Sequence, residues 1–162
     1  MELQKVNHYT PEEVAIDCLK LIPYTNEDIL LDCGSGRKKV WYNNFKCNKK
    51  YEYEIEEGRD FLNHLIPVDW VVGNPPYHNS WSMLEHAMKI SMVGIGFLLS
   101  SNTLNSLLLP SRMSKGDYKN FGITKIKVMN IQKWFGRYFF VIWKRDEKGF
   151  VDCEPKTYKE IQ

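Results

Sequence analysis

Asp28–Gly36 reads DILLDCGSG, and this stretch decides the fold. The segment 28–32 is short and apolar and runs straight into glycines, so it predicts a buried strand that ends in a sharp turn. Gly34 and Gly36 let the backbone turn tightly and approach a bound molecule closely, while Asp32 closes the strand. The same grammar recurs twice. YEYEI (51–55) alternates as a strand and stops at Glu57-Gly58, and VDWVVG (68–73) is a third strand that runs into NPPY (74–77). Strands separated by helical patterns predict a doubly wound, mainly parallel α/β sheet, in which ligands sit beyond the carboxyl ends of the strands.

Further along, Thr10-Pro11-Glu12-Glu13 predicts a helix start with Thr10 as N-cap and a capping box, followed by Val14, Cys18, Leu21 and Ile22 on one face. SWSMLEHAMKI (80–90) has helical apolar spacing, with a serine as N-cap candidate. VGIGFLLS (93–100) predicts a strand and TLNSLLL (103–109) a short helix. ITKIKVMNIQKW (123–134) and RYFFVIWKR (137–145), joined through Phe135-Gly136, predict an antiparallel hairpin at one edge.

The 162 residues predict one domain over 1–145 and a loose tail over 146–162, with no separate target-recognition domain. The overall charge of +2 hides an asymmetry. Residues 111–162 hold 12 Lys/Arg against 6 Asp/Glu, a local excess of +6, which suits a polyanionic partner as well as a solvated face. Residues 51–72 hold Glu52, Glu54, Glu56, Glu57, Asp60 and Asp69 against Arg59 alone. Cys18, Cys33, Cys47 and Cys153 form no CxxC pair, so neither a zinc nor a redox site is indicated, and free thiols in a reducing compartment are expected. His8, His64, His78 and His86 show no ligand spacing. With no apolar run of spanning length and no signal-peptide pattern at the N-terminus, a cytoplasmic protein that does not enter membranes is expected.

Glu54, near a strand end, stands where nucleotide-binding sheets place an acid against ribose hydroxyls. Asp60-Phe61 offers an acceptor beside an aromatic face, which suits an adenine ring. In NPPY each proline fixes φ near −65° and removes an N–H, and Asn74 is pushed to an extended conformation. The loop is stiff and rich in acceptors: the Asn74 side-chain oxygen, the Pro75 carbonyl and the flat face of Tyr77. That set receives an NH₂ group. Accepting both hydrogens of a conjugated amine favours a pyramidal nitrogen whose lone pair can attack an electrophile. The basic set Arg37, Lys38, Lys39, Lys46, Lys49 and Lys50 reads either as a solvated surface or as a phosphate-binding edge.

These residues resemble a known family. NPPY after a hydrophobic strand is similar to the catalytic motif of S-adenosylmethionine-dependent amino-methyltransferases, above all the N6-adenine methyltransferases, which have a Rossmann-like class I methyltransferase fold. HYTP (8–11) resembles their N-terminal cofactor motif, DCGSG (32–36) their glycine-rich motif, YEYEI their acidic motif and GRDFL (58–62) their adenine-contacting motif. The order, cofactor motifs before NPPY, matches the γ-type arrangement, and the resemblance spans roughly residues 8–145. It implies S-adenosylmethionine as cofactor, held by Tyr9, Thr10, Pro11, Asp32, Gly34, Gly36, Glu54, Asp60 and Phe61. It also implies catalysis by Asn74, Pro75, Pro76 and Tyr77 without a metal. Adenine N6 in DNA is the first expected substrate. RNA adenine, a protein glutamine amide and a non-catalytic role beside an active partner stand as alternatives. Three departures accompany the likeness. Arg37-Lys38-Lys39 follows Gly36, the usual helix between Glu54 and Asp60 is missing, and little sequence follows residue 145. The chain thus looks like a minimal, phage-type catalytic domain, for which a protein partner or a second copy would supply target recognition.

Overall fold

The computed structural model describes residues 9–151, so His8, Cys153 and the expected tail from 152 onward lie outside it. Six strands form one sheet in the order β2-β1-β3-β4-β6-β5. The strands are β1 (Ile29–Asp32), β2 (Lys49–Glu52), β3 (Val68–Gly73), β4 (Ser91–Ser100), β5 (Phe121–Met129) and β6 (Tyr138–Arg145). Strands β1 to β4 pair in parallel, and β6 runs antiparallel between β4 and β5. The doubly wound sheet and its antiparallel edge are therefore as the sequence predicts.

The central strands alternate their side chains between two fully covered faces, which is why they read as unbroken apolar runs. Leu31, Val71, Ile95 and Val141 face a core closed by α3 (Ser80–Ile90) through Leu84, Ala87 and Met88. Leu30, Trp70, Val72 and Phe140 face a second core under α1 (Glu12–Leu19), where Ala15 and Cys18 pack. Trp70 and Trp143 are each 1% exposed or less, one in each core, and the aromatic content of the chain goes largely to filling these two layers. No helix among the described residues is long and apolar enough to cross a membrane.

Several element boundaries differ from expectation, each for a local reason. Helix α1 starts one residue later than a Thr10 cap requires: Pro11 holds the N-cap position, with no side-chain cap bond. The Thr10 hydroxyl is engaged elsewhere, as described below. Strand β2 covers 49–52 rather than 51–55, because Glu54 leaves the strand to cap a 3-10 turn over Ile55–Glu57. Lys49 and Lys50 suit an edge strand, where cations protect the open side. Strand β5 stops at Met129, not at residue 134: Lys133 adopts a left-handed φ of 68° and turns the chain. Two short helices escape periodicity, α2 (Val40–Asn44) and α5 (Pro110–Met113), while α4 spans Ser101–Leu107. Residues 146–151, expected as the start of a loose tail, fold back on β5. Asp146 N–H donates to Asn120 O (2.8 Å) and Phe150 N–H to Ile123 O (3.0 Å).

Candidate active site

The chain leaves β1 toward β2 on one side and returns to β3 on the other, so the sheet has its topological switch point between β1 and β3. Crevices beyond the carboxyl ends of such strands are where ligands bind in open α/β sheets. A cleft of about 600 Å³ opens there.

The end of β1 is organised by Asp32, whose side chain is wholly buried. Its two carboxylate oxygens accept from Gly34 N–H and Tyr42 N–H, both at 3.2 Å, and so fasten the loop 33–42 at both ends. Burial pushes its pKa up to about 7 against the pull of those two bonds. Asp32 thus shapes the cleft from beneath and does not line it. Gly36 has φ +61, and a Cβ there would stand 3.1 Å from the Tyr9 ring. Gly73, at the end of β3 with φ +156, lies where a Cβ would meet Cys33 Sγ at 2.9 Å and Asp32 Oδ1 at 3.2 Å. These two positions require glycine because the ends of β1 and β3 and the Tyr9 segment converge.

Two cations of the basic run after Gly36, Arg37 and Lys39, are drawn into ion pairs around the loop. Glu52, ending β2, accepts from Ser35 Oγ (2.7 Å) and Lys39 Nζ (3.0 Å) and pairs with Arg59. Burial raises the Glu52 carboxyl, but hydrogen bonds from Arg59, Ser35 and Lys39 outweigh it and hold the group below its usual value. Lys39 also reaches Glu57 at 3.4 Å, and Arg37 pairs with Glu56 at 3.3 Å. Lys39 therefore serves the loop rather than a phosphate edge.

Two successive turns follow, each capped by a carboxylate. Glu54 accepts from Glu56 N–H at 3.0 Å through Oε1, and Asp60 accepts from Leu62 N–H at 2.9 Å through Oδ1. Glu54, Ile55, Glu56, Asp60 and Phe61 all line the cleft. Ile55 is 68% exposed beside Glu54, whereas Phe61 is buried, with its ring edge-on to His86 at 5.0 Å.

Beyond β3 the chain forms the elbow. Pro75 is buried and Pro76 is extended (φ −62, ψ 136) before a 3-10 turn over Tyr77–Asn79 leads into α3. Asn79 N–H donates to the Pro76 carbonyl at 3.0 Å, and the Pro75 carbonyl has no backbone partner among the described residues. Thr10, buried at 7% exposure, accepts from Trp41 Nε1 at 3.3 Å and from Asn74 Nδ2 at 3.4 Å. In this arrangement the Asn74 amide turns Nδ2 toward Thr10 and Oδ1 away from it. The Tyr77 hydroxyl meets the Tyr138 hydroxyl at 2.6 Å; burial, then this bond, pushes the Tyr77 phenol above its usual value. Trp134 packs edge-on to Tyr138 at 4.7 Å.

Eleven of the expected residues share the cleft: Tyr9, Thr10, Gly34, Gly36, Glu54, Asp60, Phe61, Asn74, Pro75, Pro76 and Tyr77. Asp32 lies below it, and Pro11 lines an adjoining groove with Glu12, Asn43 and Asn44, which shares Tyr9, Thr10 and Val40 with the cleft. Trp41, Ile55 and Ser35 also reach the cleft or its loop without having been singled out. Ile55 carried a signal, an apolar residue among carboxylates just past a strand. Trp41 carried none, because its helix is five residues long.

No protein-family model matches the sequence, and no curated protein sequence matches it. Solved structures do. A precorrin-6y C5,15-methyltransferase from Geobacter metallireducens is similar over 88% of this chain and 92% of its own, with a TM-score of 0.62 at 13% identity. The 23S rRNA methyltransferase ErmE is similar over 90% of this chain and 72% of its own, with a TM-score of 0.62 at 10% identity. A magnesium protoporphyrin IX methyltransferase from Synechocystis, solved with bound SAM, is similar over 83% of this chain and 77% of its own, with a TM-score of 0.51 at 10% identity. At such identities the likeness is one of architecture: the chain has the Rossmann-like fold of class I methyltransferases.

Proposed function

We propose that the chain is a methyltransferase that uses S-adenosylmethionine to methylate the N6 amine of adenine in nucleic acid, with DNA as the first substrate. One observation carries this reading: the elbow Asn74-Pro75-Pro76-Tyr77 and the capped carboxylates of Glu54 and Asp60 line one cleft at the β1–β3 switch point.

The cleft fits the cofactor. Its volume of about 600 Å³ suits a ligand of this size. One Glu54 oxygen is held by its own turn, and the other has no hydrogen-bond partner among the described residues, so it can accept from ribose hydroxyls. Ile55 and Phe61 supply apolar faces for an adenine ring. Gly34 and Gly36 let the backbone lie close to the methionine part, and Glu54 and Asp60, which form no ion pair among the described residues, suit a cationic ligand. S-adenosylmethionine supplies an electrophilic methyl group on a sulfonium.

The remaining work is positioning. The target amine donates one hydrogen to Asn74 Oδ1 and the other to the Pro75 carbonyl, which favours the pyramidal nitrogen needed for attack. The Thr10 hydroxyl, beside Nδ2, helps to position the Asn74 amide. Tyr77 stacks on the base, its hydroxyl tethered to Tyr138 so that the ring is held in place. An adenine inside a duplex cannot reach this elbow, so the base enters flipped or from a single strand. The acceptors then stabilise positive charge as it grows on the amine.

RNA is the second reading, favoured by the likeness to the 23S rRNA methyltransferase. Both readings are tested by transfer of a labelled methyl from S-adenosylmethionine to duplex DNA, single-stranded DNA, RNA and protein, followed by nucleoside and amino-acid analysis. N6-methyladenine in DNA is the expected product. Label in glutamine, or in cytosine N4, would sink the assignment.

A further inference from the structure

The hairpin loop 130–137, NIQKWFGR, lies on the same edge of the sheet as the elbow. The pairing requires this: Tyr138 stands opposite Ser100, the last residue of β4, and opposite Met129, the last of β5. The loop is anchored to the body. Ile131 is buried, Trp134 packs on Tyr138, and Ser101 N–H donates to Arg137 O at 2.9 Å. Tyr138 in turn holds Tyr77 by its hydroxyl. Yet the tip, Phe135, is 97% exposed, raised on a turn in which Lys133, not a glycine, takes a left-handed φ of 68°. A single exposed apolar residue is ordinary on a protein surface. This one sits on an anchored loop, next to the elbow, between Lys133 and Arg137, with no carboxylate anywhere in 130–137. Strain of this kind persists where the surroundings hold it and tends to gather at functional sites.

We propose that the β5–β6 loop is a docking element for an unpaired nucleic-acid segment: Phe135 stacks on a base neighbouring the one delivered to the elbow, and Lys133 and Arg137 hold the adjoining phosphates. The inference rests on the nucleic-acid reading above and deepens it. Aromatic faces take any base, and flanking cations take the backbone, so the element recognises strand character rather than sequence.

The test is fluorescence anisotropy with a labelled, adenine-containing single-stranded DNA, the matching RNA and the matching duplex. Phe135→Ala should weaken single-strand binding by about 5- to 150-fold, and Phe135→Trp should restore it. The double variant Lys133→Ala/Arg137→Ala should flatten the dependence of log affinity on log salt by about 0.7 for each phosphate released on a single strand. Cofactor affinity by calorimetry should stay unchanged in all variants, and the loss in methyl transfer should fall on KM rather than kcat. Wild type that binds and methylates nucleic acid, with Phe135→Ala binding equally well, overturns this inference alone. Wild type that neither binds nor methylates any of the probes overturns the nucleic-acid reading with it. If wild type methylates a glutamine peptide and Phe135→Ala loses that activity, the loop belongs to a polypeptide substrate and the proposal fails.

Discussion

The two flanks of the cleft are built from opposite materials. Every carboxylate that lines it, Glu54, Glu56 and Asp60, comes from the turns after β2, while the flank after β3 contributes Asn74, two prolines, Tyr77, His78, Asn79 and Met83 and no acid at all. On the first flank, shape depends on charge: Asp32, Glu52 and Glu57 are held by N–H groups and cations. On the second, shape depends on fixed dihedrals, a neutral amide held by Thr10 and two joined phenols. The lesson is a division of sensitivity. The shape of the proposed cofactor flank should respond to protonation of its carboxylates, and that of the proposed substrate flank, which has no carboxylate, should not.

The largest expected effect breaks the comparison at Asp32. Its folded pKa of about 7 lies above its unfolded value, so the folded chain holds the extra proton between roughly pH 4 and pH 7. Stability from this group is therefore full at the acid end and lost as pH rises through 7, by up to about 4 kcal/mol at 1.36 kcal/mol per pKa unit. Burial lowers His64, which acts in the opposite sense. Urea titrations of wild type against Asp32→Asn cancel that contribution, and the variant should gain on wild type as pH rises. A constant difference from pH 4 to 8 would show that Asp32 is already ionised in the fold.

Next comes Asn74→Ala, which removes one of two acceptors for the amine. Methyl transfer should fall by ~10²–10³ while cofactor affinity holds. Full activity in single-turnover assays would remove the elbow from the chemistry. Glu54→Ala should weaken S-adenosylmethionine binding by roughly 1.5–3 kcal/mol, read by calorimetry, without loss of the fold. If affinity were unchanged, the ribose contact would lie elsewhere. The smallest effect tests the phenol pair. Tyr77→Phe leaves the hydroxyl of Tyr138, 3% exposed, without a partner, at a cost of about 1–3 kcal/mol. Tyr138→Phe costs less, because Tyr77 is 43% exposed and its hydroxyl can turn to water. Equal losses in the two variants would mean that neither hydroxyl depends on the other.

The sequence reveals the proposed substrate flank more fully than the proposed cofactor flank, for a physical reason. Two prolines after an apolar strand fix local dihedrals, so NPPY announces its own conformation. The strands β1, β3, β4 and β6 likewise announce themselves as apolar runs buried on both faces. The charge-built flank depends on partners distant in sequence. Lys39 reads as part of a basic run until Glu52 and Glu57 are seen to take it, and Asp32 reads as a ligand until Tyr42 N–H is seen beneath it. Thr10 makes the same point: its local pattern predicts a helix cap, and a buried indole and the Asn74 amide claim its hydroxyl instead. The overlong β5 arises because the apolar Ile131 and Trp134 prolong a β-rich run, although they lie in a turn in which Trp134 N–H donates to Ile131 O.

The return of residues 146–151 onto β5 bears on self-association. β5 is the outermost strand on its side, and an open outer strand is a template for pairing with another molecule. Phe150 N–H occupies the Ile123 carbonyl, and the register shifts between Ile123 and Lys125, so the first part of that edge is both covered and kinked. A version of the chain shortened to residue 145 would keep every cleft residue and expose this edge. Its failure would appear as edge-to-edge aggregation in concentrated solution rather than as lost chemistry.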